Sequence, residues 1–294
     1  PLVHSELADA VARVKVRQGG QSAVTRGQVW TFLGAKGGLG VTSLAAHLAS
    51  LLAKVHGRKT LLVDHHPQLG EVSFYLALER KPYHFSGLVE NSHRLDSELL
   101  QGYLVHHPSG LDVLPCPDGF DAAGPGSALE IERTLAFLST RYEFALVDCP
   151  PGLNQANMAA IQQADRVYLV VTPEVSALDH VRHYLECLDQ WQVSGEKVRL
   201  VVNRYSEKGI TEAQIQKVTR RQVAWKVPNQ YQTVIQAINA GTPISLSSSS
   251  QFMQNLHQWA EILANKRDEV AERRDLAKGK AANSILSLKP AAGR

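Results

Sequence analysis

Cysteine is nearly absent from this chain: three residues in 294, Cys116, Cys149 and Cys187, without the spacing of a metal site or a disulfide framework. Scattered thiols of this kind suit a reducing cytoplasm. No apolar run approaches the ~18–20 residues of a membrane-spanning helix, and the chain does not open on a signal peptide. There is no Gly-x-Ser-x-Gly elbow for a nucleophilic serine, and Ser247–Ser250 reads as a polar loop before a helix. A strong charge of one sign is missing too. The formal net charge is +3, and residues 266–294 hold eight Lys/Arg against four Asp/Glu, which leaves the rest of the chain near −1. A body without a basic excess argues against a general nucleic-acid footprint, so DNA is not an expected partner.

What is present points to a layered fold. With 44% hydrophobic and 20% charged residues the chain can bury a sizeable core. Apolar runs at Val29–Leu33, Lys59–Asp64, Leu111–Leu114, Glu143–Val147, Arg166–Val171 and Val198–Val202 read as buried strands. Between and after them come helix patterns at Ser43–Lys54, Phe74–Leu78, Ser127–Leu138, a stretch ending near Ala164, Leu178–Trp191, Tyr231–Ala240 and Phe252–Ala264. Pro82–Pro108 reads as irregular chain or short helices. Unbroken apolar strands alternating with helices imply an α/β fold, a doubly wound and mostly parallel sheet with helices on both faces. The expected domain runs over 28–265. Before it, residues 1–27 read as a linker, with a helix-compatible Ser5–Val16 and a Gly/Ser/Gln-rich Gln18–Ser22. After it, 266–294 reads as a basic tail, helix-compatible to about Ala277 and then small, polar and flexible.

The most informative stretch is Gly34-Ala35-Lys36-Gly37-Gly38-Leu39-Gly40-Val41-Thr42. It sits between the first strand and the first helix, where backbone N–H groups and a helix N-terminus can cradle phosphates. A standard P-loop reads GxxxxGK[ST], with lysine on the outer phosphates and the hydroxyl on Mg²⁺. Here Thr42 supplies the hydroxyl, Val41 stands at the lysine position, and a lysine occurs earlier, at Lys36. Two further strands end in acids, Asp64 and Asp148. Ligands of such sheets bind beyond the carboxyl ends of the strands, so the loop and both acids are expected to converge. Thr42 would then hold Mg²⁺ directly and Asp148 would hold a water on it. The plainer reading makes Thr42 only a helix N-cap.

Lys36-Gly37-Gly38-Leu39-Gly40-x-Thr42 resembles the deviant Walker A motif of the MinD/ParA family of P-loop ATPases. The resemblance continues in Val63-Asp64 with Gln68 and Gly70, in Val147-Asp148-Cys149-Pro150-Pro151 and in Val202-Asn203-Arg204-Tyr205. It also takes in Val227-Pro228-Asn229 and Ala237-Ile238-Asn239-Ala240-Gly241-Thr242-Pro243, and so spans about Val29 to Ala264. The late segment and the small apolar residue at position 41 are similar to one branch, the TadZ/CpaE-type proteins of tight-adherence pilus assembly. The resemblance implies a P-loop fold with ATP and Mg²⁺ as cofactors. Lys36 to Ser43 (Lys36, Gly37, Gly38, Leu39, Gly40, Val41, Thr42, Ser43) would surround the phosphates, with Thr42, Asp64 and Asp148 at the metal. It further implies a nucleotide-dependent homodimer in which Lys36 reaches the partner's phosphates. Asn203 and Arg204, with Pro228, Asn229 and Gln230, would lie near the adenine; taken alone, Asn203 reads equally well as a strand-end turn residue.

Two departures from the family pattern bear on chemistry. Val41 cannot make the charge-assisted bonds of a P-loop lysine, worth roughly 1.5–3 kcal/mol each. His66 stands where hydrolysing members carry the second acid of Asp-x-Asp. The catalytic candidates are therefore Lys36, Asp64 and His66, with turnover expected to be slow or absent, since phosphoryl transfer relies on positioning and charge. His65-His66 as a separate metal pair lacks a completing ligand, and Cys149 is expected to pack as a small hydrophobe. The leading expectation is an ATP-binding, dimerising factor that recruits pilus or secretion assembly proteins, cytoplasmic and drawn to a pole or the inner membrane. The competing ones are an active ParA/MinD-type ATPase moving DNA or cargo, and a nucleotide-independent scaffold. Residues 266–280 offer only Val270 and Leu276 as apolar contacts, so the tail reads as solvated rather than as a membrane anchor. Because CpaE-like relatives often carry a receiver-like domain, one is expected upstream of Pro1.

Overall fold

The computed structural model describes residues 26–79, 82–117, 124–240 and 243–265. The helix-compatible Ser5–Val16, the linker beside it and the basic tail fall outside the described residues. Within them the chain builds one eight-stranded sheet in the order β3-β4-β2-β5-β1-β6-β7-β8. Its strands are β1 (Gln28–Gly34), β2 (Thr60–Asp64), β3 (Val105–His106), β4 (Asp112–Leu114), β5 (Phe144–Asp148), β6 (Arg166–Val171), β7 (Val198–Tyr205) and β8 (Val223–Pro228). All neighbours pair in parallel except β3 with β4.

The central strand β1 is buried on both faces, as its sequence Val-Trp-Thr-Phe-Leu requires. On one face Trp30 meets the Phe144 ring at 4.6 Å, and Phe32 stacks on Tyr168 at 4.8 Å. Tyr168 in turn packs edge-on against Trp259 of α10 (251–265). On the other face the Thr31 hydroxyl donates to the Ala160 carbonyl of α6 (Gln155–Gln163) at 3.1 Å. The helix that follows β1, α1 (Val41–Lys54), buries every residue from Ser43 to Ala53. It is core on nearly all sides, and its small residues Ala45, Ala46 and Ala49 let it lie close to its neighbours.

Several expected elements move or appear. The Phe74–Leu78 helix is instead a single turn, α2 (Val72–Tyr75), started earlier by backbone bonds to Glu71 and Val72. Pro82–Pro108 resolves into α3 (Phe85–Glu90), a 3₁₀ turn at Ser92–Arg94 and α4 (Ser97–Tyr103). It also contains the unanticipated strand β3, which breaks the parallel pattern. The turn Pro108-Ser109-Gly110, with Gly110 at φ +83°, folds β3 back on β4. After α5 (Ala128–Ser139) and α7 (Val175–Gln190) comes a second unanticipated element, α8 (Glu212–Thr219). Its start carries a capping box: the Thr211 hydroxyl accepts from Gln214 N–H while the Gln214 side chain accepts from Thr211 N–H. The chain then forms α9 (Tyr231–Asn239), none of whose residues is fully buried, and α10. Among the described residues no helix is long and apolar enough to cross a membrane.

The sheet's centre fixes both stability and site. Trp30→Ala removes a fully buried indole from β1 and is expected to cost about 3–5 kcal/mol in chemical denaturation. Trp191→Ala, at a residue 46% exposed, is expected to stay within about 0.5 kcal/mol of wild type.

Candidate functional site

Register brings the two acids together. In the β2–β5 pairing Asp64 stands directly opposite Asp148, and in the β1–β5 pairing Asp148 stands opposite Phe32. Both carboxylates therefore lie at the carboxyl edge of the sheet, beside the glycine loop that leaves β1. The strand order turns here, since the chain runs to one side of β1 through β2 and β5 and to the other through β6 and β7.

The loop enters α1 through Gly40, the residue before the first helical turn, with φ +85° and no side-chain cap. A Cβ at Gly40 would also come within 2.5 Å of Asn203 Nδ2, so glycine is demanded there twice. This corrects the plain reading of Thr42: it is the second residue of the helix and does not cap it. The first intrahelical bond is Leu44 N–H to the Gly40 carbonyl, which leaves the N–H groups of the preceding turn without helix partners and the positive end of α1 facing the cleft. Cβ atoms built on Gly37 or Gly38 would meet nothing within 4 Å, so the loop presents an open backbone face.

Asp64 is buried and accepts from the His66 ring Nδ1 at 2.8 Å, from His66 N–H at 3.2 Å and from Val72 N–H at 3.2 Å. Gly70 crosses so close that a Cβ there would lie 2.2 Å from Asp64 Oδ2. Asp148 is wholly buried, and neither of its oxygens has a hydrogen-bond partner. Burial, then the charge of Asp64, push its carboxyl well above the ordinary range, with His66 and the nearby Thr42 hydroxyl opposing them. For His66 burial pulls the imidazole down, but the bond to Asp64 and the charges of Asp64, Asp148 and Glu71 together hold it above its ordinary value. One ligand atom each from Asp64, His66 and Asp148 falls within a 4.8 Å cluster. Two adjacent carboxylates, one of them orphaned, form a donor set that a hard divalent cation would satisfy, and Thr42 stands next to it. His66 joins this group where the sequence pointed to Thr42, Asp64 and Asp148 alone. The neighbouring His65 turns away against Phe85, and burial pulls its imidazole down to about 4.

The cleft beyond the loop has a volume of about 520 Å³. Of the sequence-predicted residues, Lys36 to Ser43, His66, Asn203, Arg204, Pro228 and Gln230 line it. Asp64 and Asp148 lie buried behind it, and Asn229 is not among its lining residues either; the Asn229 N–H donates to the Tyr205 carbonyl and its side chain accepts from Tyr231 N–H. Asn203 lies inside β7 rather than at a strand-end turn, and its amide donates to the Leu39 carbonyl at 2.8 Å. Lys36 is held within the chain by Glu174 at 3.1 Å and Ser176 at 3.4 Å. The bond from Lys36, then that from Thr172, hold the Glu174 carboxyl below the ordinary range. Missed in the sequence were Glu71, Tyr75 and the wall formed by Tyr231, Val234, Ile235 and Ile238 of α9. Burial and the charge of Glu71 push the Tyr75 phenol up to about 12. The spacing of the α9 residues, one helical face, was the available signal. Cys149 is buried as a small hydrophobe, and none of the three cysteines is in a disulfide.

Residues 27–202 match a family model described as an AAA domain. The septum site-determining protein MinD of Thermotoga maritima is 26% identical over 242 residues, covering 80% of this chain and 87% of that protein. Among solved structures, a ParA family ATPase from Chlorobium tepidum TLS superposes with a TM-score of 0.73 at 22% identity, over 80% of this chain and 98% of that one. The septum site-determining protein MinD of Pyrococcus horikoshii OT3, solved as a complex with Mg-ADP, gives 0.68 at 22% identity over 80% and 95%. At these identities the structural likenesses establish the fold: a mostly parallel P-loop α/β sheet.

Without metal, Asp148 and His66 both bind their protons more tightly in the folded chain than in the unfolded one. Each therefore favours the fold at low pH, and that contribution fades as the pH climbs through its folded value. Metal-free stability is expected to fall between about pH 4 and pH 8. Asp148→Asn, which removes the buried charge, is expected to raise stability by about 1–3 kcal/mol near pH 8 and to give no gain toward pH 4. Denaturant titrations of both proteins at the two pH values check this, and equal stability near pH 8 would remove the cost assigned to the orphaned carboxylate.

Proposed function

The chain belongs to the AAA domain family, and from that premise we propose that it binds ATP with Mg²⁺ in this cleft, turns it over slowly and closes into a nucleotide-dependent homodimer. The observation that carries the reading is the Asp148 carboxylate, fully buried without a hydrogen bond, opposite Asp64 and beside the open glycine loop. Such an arrangement is costly by itself and is relieved by a divalent cation.

In this reading the N–H groups of the loop and of the first turn of α1 hold the phosphates. Thr42 and Asp148 would hold Mg²⁺, with Asp64 beside them. Bound Mg²⁺ supplies charge neutralisation at the phosphate oxygens. Asn203, Pro228 and Gln230 face the base, and the apolar side of α9 covers it.

Slow turnover follows from two residues. Val41 adds no charge to the outer phosphates, and the His66 ring is engaged with Asp64 where a free carboxylate would position water. Lys36 is available for a partner's phosphates at small cost, because its bond to the largely exposed Glu174 is a surface ion pair worth about 0–1 kcal/mol. A nucleotide-gated dimer with little hydrolysis suits a positioning or assembly factor of the TadZ/CpaE type, recruiting pilus or secretion components.

Calorimetry with ATP and ADP in Mg²⁺, with light scattering for mass, tests this on wild type and Lys36→Ala. Wild type is expected to dimerise with ATP, and Lys36→Ala to bind ATP but remain monomeric. The double change Val41→Lys with His66→Asp is expected to raise phosphate release at least tenfold. No nucleotide binding at millimolar concentration, or a dimer indifferent to nucleotide, would overturn the reading.

A further inference from the structure

Val41 leaves the phosphate region short of one positive charge, and the cleft contains a replacement. Among the described residues that line it, the permanent cations are Lys36 and Arg204. Lys36 pairs with the Glu174 carboxylate and, in the reading above, is the residue that turns to the partner's phosphates. Arg204 has no carboxylate within ion-pair distance among the described residues. Its guanidinium is instead fixed at the loop itself. One Nη2 hydrogen donates to the Gly38 carbonyl at 3.0 Å, and the group lies 4.7 Å over the Tyr231 ring. The backbone contributes to that placement: Arg204 takes the left-handed φ of +54°, and its N–H donates to Asn203 Oδ1 at 2.9 Å. A non-glycine residue in that region is strained, and the strain is sustained at the point where β7 meets the loop. With five N–H donors and only one bound to Gly38, the fork keeps donors for an oxyanion.

We propose that Arg204 supplies, from within the same chain, the charge on the nucleotide's phosphates that Val41 withholds. The proposal rests on the nucleotide-binding reading above and moves Arg204 from the base to the phosphates. It also makes the pairing reciprocal: a lysine at position 41 would render Arg204 dispensable.

The test is calorimetric titration of ATP, ADP and adenosine, with Mg²⁺, into wild type, Arg204→Gln, Arg204→Lys, Val41→Lys and the Val41→Lys/Arg204→Gln double variant. Unfolding midpoints are measured alongside. Arg204→Gln is expected to weaken ATP and ADP about tenfold, the loss of one charge-assisted contact, while adenosine affinity stays within about twofold. Arg204→Lys is expected to lose less, and the double variant to regain most of the deficit. An equal loss for adenosine would place Arg204 on the base. A deficit that Val41→Lys leaves untouched, with a lowered unfolding midpoint, would make Arg204 a tether of the loop; either result overturns the proposal. Undiminished ATP affinity in Arg204→Gln overturns it while leaving nucleotide binding intact, and absence of binding in wild type removes both.

Discussion

The site depends on one constraint, the parallel register that sets Asp64 beside Asp148, both buried from solvent, at the ends of two strands. A buried carboxylate survives only with a partner, a proton or a metal. Asp64 has partners in the chain: His66, and the backbone of Val72 brought in by the close pass of Gly70. Asp148 has no hydrogen bond. The asymmetry makes one acid a fixed part of the scaffold and leaves the other with unused acceptor capacity. The glycine loop, the uncapped start of α1 and Thr42 are all arranged around that unmet demand.

Much of this was legible in the residues. The strands of the sheet's middle are unbroken apolar runs bounded by turn residues, and β6 falls where its pattern put it, at Arg166–Val171. The acids could be placed at strand ends because each follows such a run directly. What escaped had weaker signals. β3 has only two residues and owes its existence to pairing with β4 across a turn, a non-local gain that no window of Val105–His106 reveals. α8 was announced by Thr211 and Gln214, but a capping box is a pair of polar residues and is easily overlooked beside apolar periodicity. The hold of Glu174 on Lys36 spans 138 residues of sequence and could come only from the fold.

The two departures at Val41 and His66 act on different terms. In the nucleotide-binding reading proposed above, position 41 would set how strongly the outer phosphates are held, and position 66 what faces a water beyond them. His66 does not simply replace a carboxylate, because it spends its Nδ1 on Asp64 and brings a raised, environment-dependent charge into a pocket of acids. In that reading the loop, the acids and the far wall keep the frame of a P-loop nucleotide site, while the residues at positions 41 and 66 would slow hydrolysis. A fold shared with MinD and ParA structures is compatible with either fast or slow chemistry, so the fold alone does not set the rate.

The indoles of Trp225 and Trp259 stack 5.7 Å apart at an interplanar angle of 13°, joining the edge strand β8 to α10. Trp225 also donates to Asn255, and it lies three residues before Pro228 at the rim of the cleft. With four tryptophans in the chain, one of them (Trp30) deep in the sheet and one (Trp191) at the surface, this pair forms a built-in optical gauge. Its emission is sensitive to any slide of the edge strand against the last helix, so the far wall of the cleft carries its own spectroscopic reporter without a label.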